Sequence, residues 1–86
     1  MNQYQLQIAA QFRPEVLERV LRLTRHRGFR VDEMDMSTLN NGLGLIINMM
    51  VTSDRPIVHL SRQLEKLMDV TLVQVQALKQ PLKKTA

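Results

Sequence analysis

The hydrophobic periodicity of this chain changes between two and about 3.6 residues, in an order that occurs twice. Residues 3–12 alternate between two faces, which predicts a β-strand. One face of that strand holds Tyr4, Leu6, Ile8, Ala10 and Phe12. After Pro14, apolar side chains fill one arc and charged side chains the opposite arc, which predicts an amphipathic helix. Gly28 follows a basic last turn and marks the end of that helix.

The chain then gives two strand signals joined by a turn. Residues 29–38 predict a second strand, and a change of phase between Val31 and Met34 predicts a bulge in it. Asn40-Asn41-Gly42 is typical of a turn between strands. Residues 43–51 are apolar nearly throughout, so we expect this third strand to lie centrally in the sheet.

A second helix and a fourth strand complete the pattern. Ser53 or Asp54 can cap the helix, with Pro56 in its first turn. Its predicted buried stripe is Ile57, Leu60, Leu64, Leu67 and Met68. Residues 70–78 predict the fourth strand. We therefore expect one domain over residues 1–78, followed by a basic, flexible C-terminal tail over residues 79–86.

The sum of these elements is βαββαβ, the order of an α+β, ferredoxin-like fold. Right-handed crossovers then place two helices on one face of a four-stranded antiparallel sheet with strand order 4-1-3-2. The other face needs no helix over it. The side chains predicted to point outward there, on strands one, three and four, include Gln5, Gln7, Ile46, Asn48, Met50, Gln74 and Gln76.

That outward set contains no charged residue, which is unusual for a solvated sheet face. Interfaces between proteins are depleted of charge and enriched in Met. The set therefore favours a partner interface, while an ordinary polar face is the alternative.

Catalytic and metal-binding chemistry is not indicated. The chain has no cysteine, and His26 and His59 fall on the polar arcs of different helices without metal-ligand spacing. Asp32, Glu33 and Asp35 cluster on the second strand, where charges protect an edge from aggregation. No apolar run approaches the roughly 20 residues of a membrane span, so no membrane partner is expected.

RNA binding is a remote alternative, because RNA-recognition modules share this strand and helix order. Those modules stack bases on aromatic side chains of the central strands. The third strand, LGLIINMMV, has no aromatic residue. We therefore expect no nucleic-acid partner.

Two segments carry a resemblance to a known family. LERVLRLTRHRGFRVDEMDM and the later QLEKLMDV, residues 63–70, resemble the ACT domain of acetolactate (acetohydroxyacid) synthase small subunits over about residues 4–78. The short length and the Arg-Pro-Glu turn resemble small subunits of the isozyme II type in particular. The resemblance implies a cytoplasmic, non-catalytic subunit that activates a large, catalytic subunit. That large subunit would be a transferase that makes acetohydroxy acids for branched-chain amino-acid biosynthesis. It would use thiamine diphosphate, Mg²⁺ and FAD.

The same resemblance bears on effector binding. Valine-sensitive members carry an Asn-x-x-Gly turn, which aligns with Phe12 and Glu15, and a further asparagine that aligns with Arg30. Phe12 removes an amide, Pro14 removes a backbone donor, and Glu15 adds a negative charge where a ligand carboxylate would sit. The chain is therefore predicted to be valine-insensitive, with no effector site. An ACT domain that still binds an amino acid is the alternative.

The resemblance also implies self-association, because ACT domains commonly pair edge to edge. We expect a homodimer through the second strand, which would pair an otherwise free ladder. The acidic residues on that strand oppose such pairing unless Arg30 neutralises them.

Overall fold

The computed structural model describes residues 1–78. Its elements are β1 (Asn2–Gln11), α1 (Val16–His26), β2 (Arg30–Leu39), a 3-10 turn (Asn40–Gly42), β3 (Gly44–Ser53), α2 (Ile57–Glu65) and β4 (Val70–Leu78). The strands form one antiparallel sheet in the order β2-β3-β1-β4. The predicted βαββαβ order and strand order are thus confirmed. The predicted basic tail, residues 79–86, lies outside the described residues.

The core lies between the sheet and the two helices. Alternate side chains of β1 and β3 are buried, and their neighbours point to the opposite, helix-free face. The buried apolar side chains are Leu6, Ile8, Ala10, Val16, Val20, Phe29, Leu45, Ile47, Met49, Val51, Leu60 and Leu64. Tyr4 packs at the margin of this core, with its ring centroid 6.5 Å from that of Phe29.

Helix α1 ends as its sequence predicts. Gly28 has φ of +86°, a conformation that glycine adopts without the penalty a Cβ would bring. Its N–H donates to the carbonyl of Arg25 at 3.0 Å, and the N–H of Phe29 donates to that of Thr24 at 3.1 Å. The chain therefore turns directly from the helix into β2.

The cap predicted for α2 is wrong. Pro56 occupies the N-cap position, and no side chain caps the helix. Ser53 instead donates its hydroxyl to the carbonyl of Gly28 at 2.8 Å and accepts the N–H of Arg55 at 3.0 Å. Ser53 is the last residue of β3, and its hydroxyl thus joins the end of α1 to the turn before α2.

Two residues predicted to be buried are exposed. Phe12 lies beyond the end of β1 and has 47% of its surface exposed, because the chain has already left the sheet. Met68 lies beyond the end of α2 and is 88% exposed. The helical stripe therefore ends with Leu64, which is buried, while Leu67, just beyond the helix, is half-buried against the core.

The bulge predicted in β2 is confirmed. Val31 pairs with Val51 and Glu33 pairs with Met50, so Asp32 is an extra residue without a partner across the ladder. Beyond the bulge, Met34 and Met36 lie opposite the buried Met49 and Ile47 and thus on the helix side.

The helices of residues 1–78 are short. Neither α1 nor α2 has the length and hydropathy that a bilayer crossing requires.

Candidate functional site

The helix-free face of the sheet brings the seven predicted interface residues together. The strand register aligns Gln76, Gln5 and Met50 in one row, and Gln74, Gln7 and Asn48 in the next. Ile46 lies one row further on, opposite Ala9. The four glutamines are exposed, and Ile46, Asn48 and Met50 are half-buried.

The row through Asn48 is a chain of oriented amides. Gln7 donates from Nε2 to Oδ1 of Asn48 at 3.2 Å, and Asn48 donates from Nδ2 to Oδ1 of Asp35 at 3.1 Å. Because a carboxylate only accepts, Asp35 fixes the orientation of the Asn48 amide, which in turn fixes that of Gln7. The centre of this face is therefore a polar but uncharged surface with a defined direction of donors.

Strand β2 adds charge that the sequence interpretation of this face did not include. Glu33 and Asp35 of β2 pair with Met50 and Asn48, so they extend the same rows, and Asp32 joins them at the bulge. We call these three residues the acidic margin. The face is thus uncharged over β4, β1 and β3 only. The alternation Met34-Asp35-Met36 carried this signal, because the residue between two core-side methionines must point to the other face.

Asp32 is held by three donors at the bulge. The hydroxyl of Thr52 donates to its Oδ2, Arg30 donates from Nε to its Oδ1 at 2.7 Å, and Gln3 donates from Nε2 at 3.4 Å. The Thr52 hydrogen bond, together with those of Arg30 and Gln3 and the charge of Arg30, lowers the pKa of the Asp32 carboxyl, against an opposing effect of burial. These three donors satisfy the hydrogen-bonding capacity of the Asp32 carboxylate, which belongs to the extra residue of the bulge.

This network predicts a contribution of Asp32 to acid stability. A carboxyl whose pKa is lowered in the folded state stabilises the fold above its unfolded pKa of 3.8, and that contribution is lost as pH falls through the folded pKa. We expect Asp32→Asn to reduce the free energy of unfolding at pH 7, and the gap from wild type to shrink below about pH 4. Urea unfolding at pH 7, 5, 4 and 3 measures it.

Glu33→Gln is the control for that experiment, because it removes a neighbouring carboxylate and leaves the three donors to Asp32 intact. A gap between Asp32→Asn and wild type that stays constant down to pH 3 would contradict the assigned role of the network.

The β1–α1 turn, residues 12–15, holds three of the four positions of the degenerate effector site. Phe12, Pro14 and Glu15 are all exposed. Backbone donors around this turn are already used: the N–H of Phe12 donates to Leu43 at 3.0 Å, and that of Val16 to Arg13 at 3.2 Å. Glu15 occupies the N-cap of α1 without a side-chain cap hydrogen bond.

The cation of this turn faces a carboxylate of the chain itself. Nε of Arg13 lies 3.5 Å from Oδ1 of Asp69, whose side chain is only 11% exposed. The carbonyl of Asp69 also accepts the N–H of Gln11 at 2.8 Å. Asp69 belongs to the QLEKLMDV motif, so that motif fastens the turn to the start of β4. A ligand carboxylate would have to compete with Asp69 for Arg13.

Arg30, the fourth position, lies far from this turn within one chain. It pairs with Thr52, which pairs with Gln3 at the start of β1. Phe12 lies beyond the other end of β1, roughly 30 Å away at about 3.3 Å per strand residue. One chain therefore does not assemble the four positions into a single site.

Metal-ligand geometry is not found in the described part of the chain. Within residues 1–78, no group of three or more His, Asp or Glu side chains is arranged to hold a metal ion. His26 and His59 are both exposed.

Comparison with known proteins identifies the family of this chain. Residues 12–73 match the ACT domain family. The chain is 44% identical over 75 residues to the "Acetolactate synthase isozyme 2 small subunit" of Escherichia coli K12, covering 87% of this chain and 86% of that protein, and the protein of the same name from Shigella flexneri has the same values. The chain belongs to the acetolactate synthase small-subunit family.

Comparison with solved structures shows the same fold. The ACT domain of a Chlorobium tepidum GTP pyrophosphokinase superposes with a TM-score of 0.75 at 10% identity, over 88% of this chain and 100% of that one. In this ACT-domain small subunit, the matched segment begins at Phe12 and ends at Val73. It therefore includes both the degenerate turn and Asp69.

Proposed function

We propose that the chain is the non-catalytic regulatory small subunit of an acetolactate synthase, and that it binds and activates the large subunit in branched-chain amino-acid biosynthesis. The observation that carries the proposal is the 44% identity to isozyme 2 small subunits over nearly the whole length of both chains. In this proposal the complex works in the cytoplasm, and thiamine diphosphate, Mg²⁺ and FAD belong to the large subunit. No membrane or nucleic acid takes part.

The helix-free face supports the proposal as the surface for the large subunit. Nothing within residues 1–78 covers it, and its centre is free of charge across three strands. Burying amides costs little where a partner supplies hydrogen bonds, whereas burying unpaired charges costs several kcal/mol. Docking would therefore use Gln5, Gln7, Ile46, Asn48, Met50, Gln74 and Gln76. The acidic margin would lie at the rim of the contact, facing basic groups of the partner.

Co-purification tests the proposal most directly. A candidate thiamine-dependent large subunit is expressed with and without this chain, and acetolactate formation is measured in both preparations. We expect a stable complex whose specific activity exceeds that of the large subunit alone. Equal activity in the two preparations, or failure of the chains to co-purify, would contradict it. An RNA-binding function would instead appear as steeply salt-dependent binding to single strands.

Valine insensitivity is a separate prediction. Valine, leucine and isoleucine should neither bind the isolated chain below millimolar concentration nor inhibit the assembled enzyme. Glu15 would repel a ligand carboxylate by about 1–4 kcal/mol at contact range, and Pro14 offers no N–H. Calorimetric titration of the chain and inhibition of the complex are the measurements. Saturable binding of valine at micromolar concentration would favour the alternative, an ACT domain that senses an amino acid.

Restoring the turn sharpens this test. Phe12→Asn with Glu15→Gly should move the complex toward valine inhibition, because the pair returns an amide and removes the repelling charge. A triple variant adds the substitution Arg30→Asn to this pair. If the triple variant still ignores valine while activating normally, the turn is not what determines insensitivity.

A further inference from the structure

The two edge strands of the sheet, β2 and β4, differ in how they are protected. β2 carries a bulge and the acidic margin, and natural sheets use such devices to keep other strands from pairing. In contrast, residues 70–78 of β4 contain no charged residue, no proline and no glycine. The register of β4 with β1 shifts at Thr71, and residues 72–78 then pair without interruption. β4 therefore presents a regular edge without protection.

The backbone of β1 alternates between its two neighbouring strands. The N–H of Gln11 donates to the carbonyl of Asp69, next to β4, at 2.8 Å. The N–H of Phe12 donates to the carbonyl of Leu43, next to β3, at 3.0 Å. Because successive backbone groups of a strand point to opposite sides, the odd-numbered residues of β1 form their hydrogen bonds with β4.

The same alternation identifies the unpaired backbone groups of β4. Its even-numbered residues from 72 to 78 lie opposite odd-numbered residues of β1 and direct their N–H and C=O groups toward β1. Val73, Val75 and Ala77 lie between them and direct theirs to the outer side. Within residues 1–78, no strand pairs with that side. Such a row of backbone groups is a template for a further strand.

The side chains of this edge define what an added strand has to offer. Leu72, on the helix-free face, is 51% exposed. Val75 lies on the helix side, opposite the buried Leu6, and is 40% exposed. A strand added here covers both side chains, and an unpaired charge buried beside them would be costly. The added strand therefore has apolar side chains on the helix side and uncharged ones on the other.

We propose that an extended segment of the large subunit adds to the outer edge of β4, an inference that rests on the proposed function. The uncharged part of the helix-free face ends at the acidic margin on one side. On the other side it continues through Gln74 and Gln76 to the edge itself. A partner that covers this face therefore reaches the open ladder of β4. Its extended segment gains backbone hydrogen bonds there, as in other cases of strand addition.

A second copy of the chain is the other candidate for this edge, because β4 paired with itself would also be free of charge repulsion. The family resemblance, however, leads us to expect a homodimer seam at β2. A second seam at β4 would then give every copy two neighbours and extend the sheet without closing. A segment of the large subunit covers the edge and ends the sheet.

Amide hydrogen exchange tests the proposal on the unaltered chain, read residue by residue by mass spectrometry after quenching. Gln74 and Gln76 already bond to β1, so they are the internal reference. The amides of Val73, Val75 and Ala77 should exchange faster than this reference in the isolated chain. In the complex with the large subunit they should exchange at least tenfold more slowly than in the isolated chain.

The possible results separate this inference from the proposed function. A complex that forms and is active, with exchange unchanged at all three residues, would overturn the strand addition and leave the proposed function intact. Failure to form a complex would overturn both. Slow exchange that appears in the isolated chain as its concentration rises would assign the edge to a second copy instead. Slow exchange at every concentration would assign it to the chain itself, and either result would overturn the proposal.

A pair of variants provides an independent test of the backbone contact. Val75→Pro removes one outward N–H and no hydrogen bond to β1, and proline is tolerated in edge strands. Val75→Thr is the matched control, because it keeps the N–H and nearly the same shape. We expect Val75→Pro to bind the large subunit at least tenfold more weakly than Val75→Thr, and equal affinities would overturn the proposal. If Val75→Pro does not fold, Ala77→Lys replaces it. Ala77 is exposed in the free chain, and an added strand would cover the lysine.

Discussion

Asn48→Lys is expected to weaken activation of the large subunit tenfold or more while the isolated domain stays folded. Asn48 lies at the centre of the helix-free face, half-buried between Gln7 and Asp35. In the free domain the introduced ammonium group lies in water beside Asp35, so the melting temperature should stay near wild type. In the complex it would be buried away from water together with Asp35, and removing both charges from water costs more than their attraction returns. Each ~1.4 kcal/mol is a factor of ten in affinity.

Gln7→Glu tests the same surface with the opposite sign of charge. It places a carboxylate against Oδ1 of Asn48. In the natural chain this oxygen accepts a hydrogen bond from Nε2 of Gln7 at 3.2 Å. We expect a similar loss of activation, since a buried interface excludes both signs. Titration of the large subunit with each variant, with acetolactate formation as the readout, gives the apparent affinity.

Two controls separate the face from the rest of the molecule. Asn2→Lys makes the same chemical change at an exposed position on the helix side of β1. Arg22→Glu reverses a charge on the exposed arc of α1. Both should activate nearly as wild type does. If Arg22→Glu abolishes activation while Asn48→Lys and Gln7→Glu activate normally, the large subunit docks on the basic helix instead.

The sheet could be predicted well from the sequence because side chains alternate between its two faces over most of each strand. Alternation fixed which side chains of β1, β3 and β4 face away from the helices. It also located the bulge in β2, since a one-residue insertion inverts the phase. Alternation did not predict the acidic margin, because Asp32, Glu33 and Asp35 were assigned to the edge strand but to neither face of the sheet. Their face follows only when the phase after the bulge is applied.

The other errors lie at element ends, where periodicity no longer constrains the side chain. Phe12 continues the alternation of β1, but the chain bends out of the sheet after Gln11 to reach α1. Met68 continues the stripe of α2, but the helix stops at Glu65. Ser53 has the chemistry of a cap, yet β3 extends to it and aims it at Gly28. The pairing of Arg13 with Asp69 joins residues far apart in the chain, so no local pattern contains it.

Leu64→Ala is expected to cost the domain about 2–5 kcal/mol of unfolding free energy. Leu64 is fully buried on α2, and the substitution leaves a cavity that the sheet and α1 can only partly fill. A domain of this size has roughly 4–13 kcal/mol in total, so a large fraction of its stability is lost. Leu43→Ala is the matched control, since Leu43 is 76% exposed and should change stability by less than about 0.5 kcal/mol. Urea unfolding measures both.

This variant also distinguishes loss of fold from loss of docking. The helix-free face of Leu64→Ala keeps every side chain of the amide row, so its folded fraction should bind the large subunit normally. Partner binding stabilises the folded state by mass action. Excess large subunit or a lower temperature should therefore restore activation by Leu64→Ala, and neither should restore activation by Asn48→Lys at the same concentrations. If Leu64→Ala unfolds as wild type does, Leu64 does not hold the core together. If it is destabilised and activation never recovers, the packing of α2 shapes the docking surface itself.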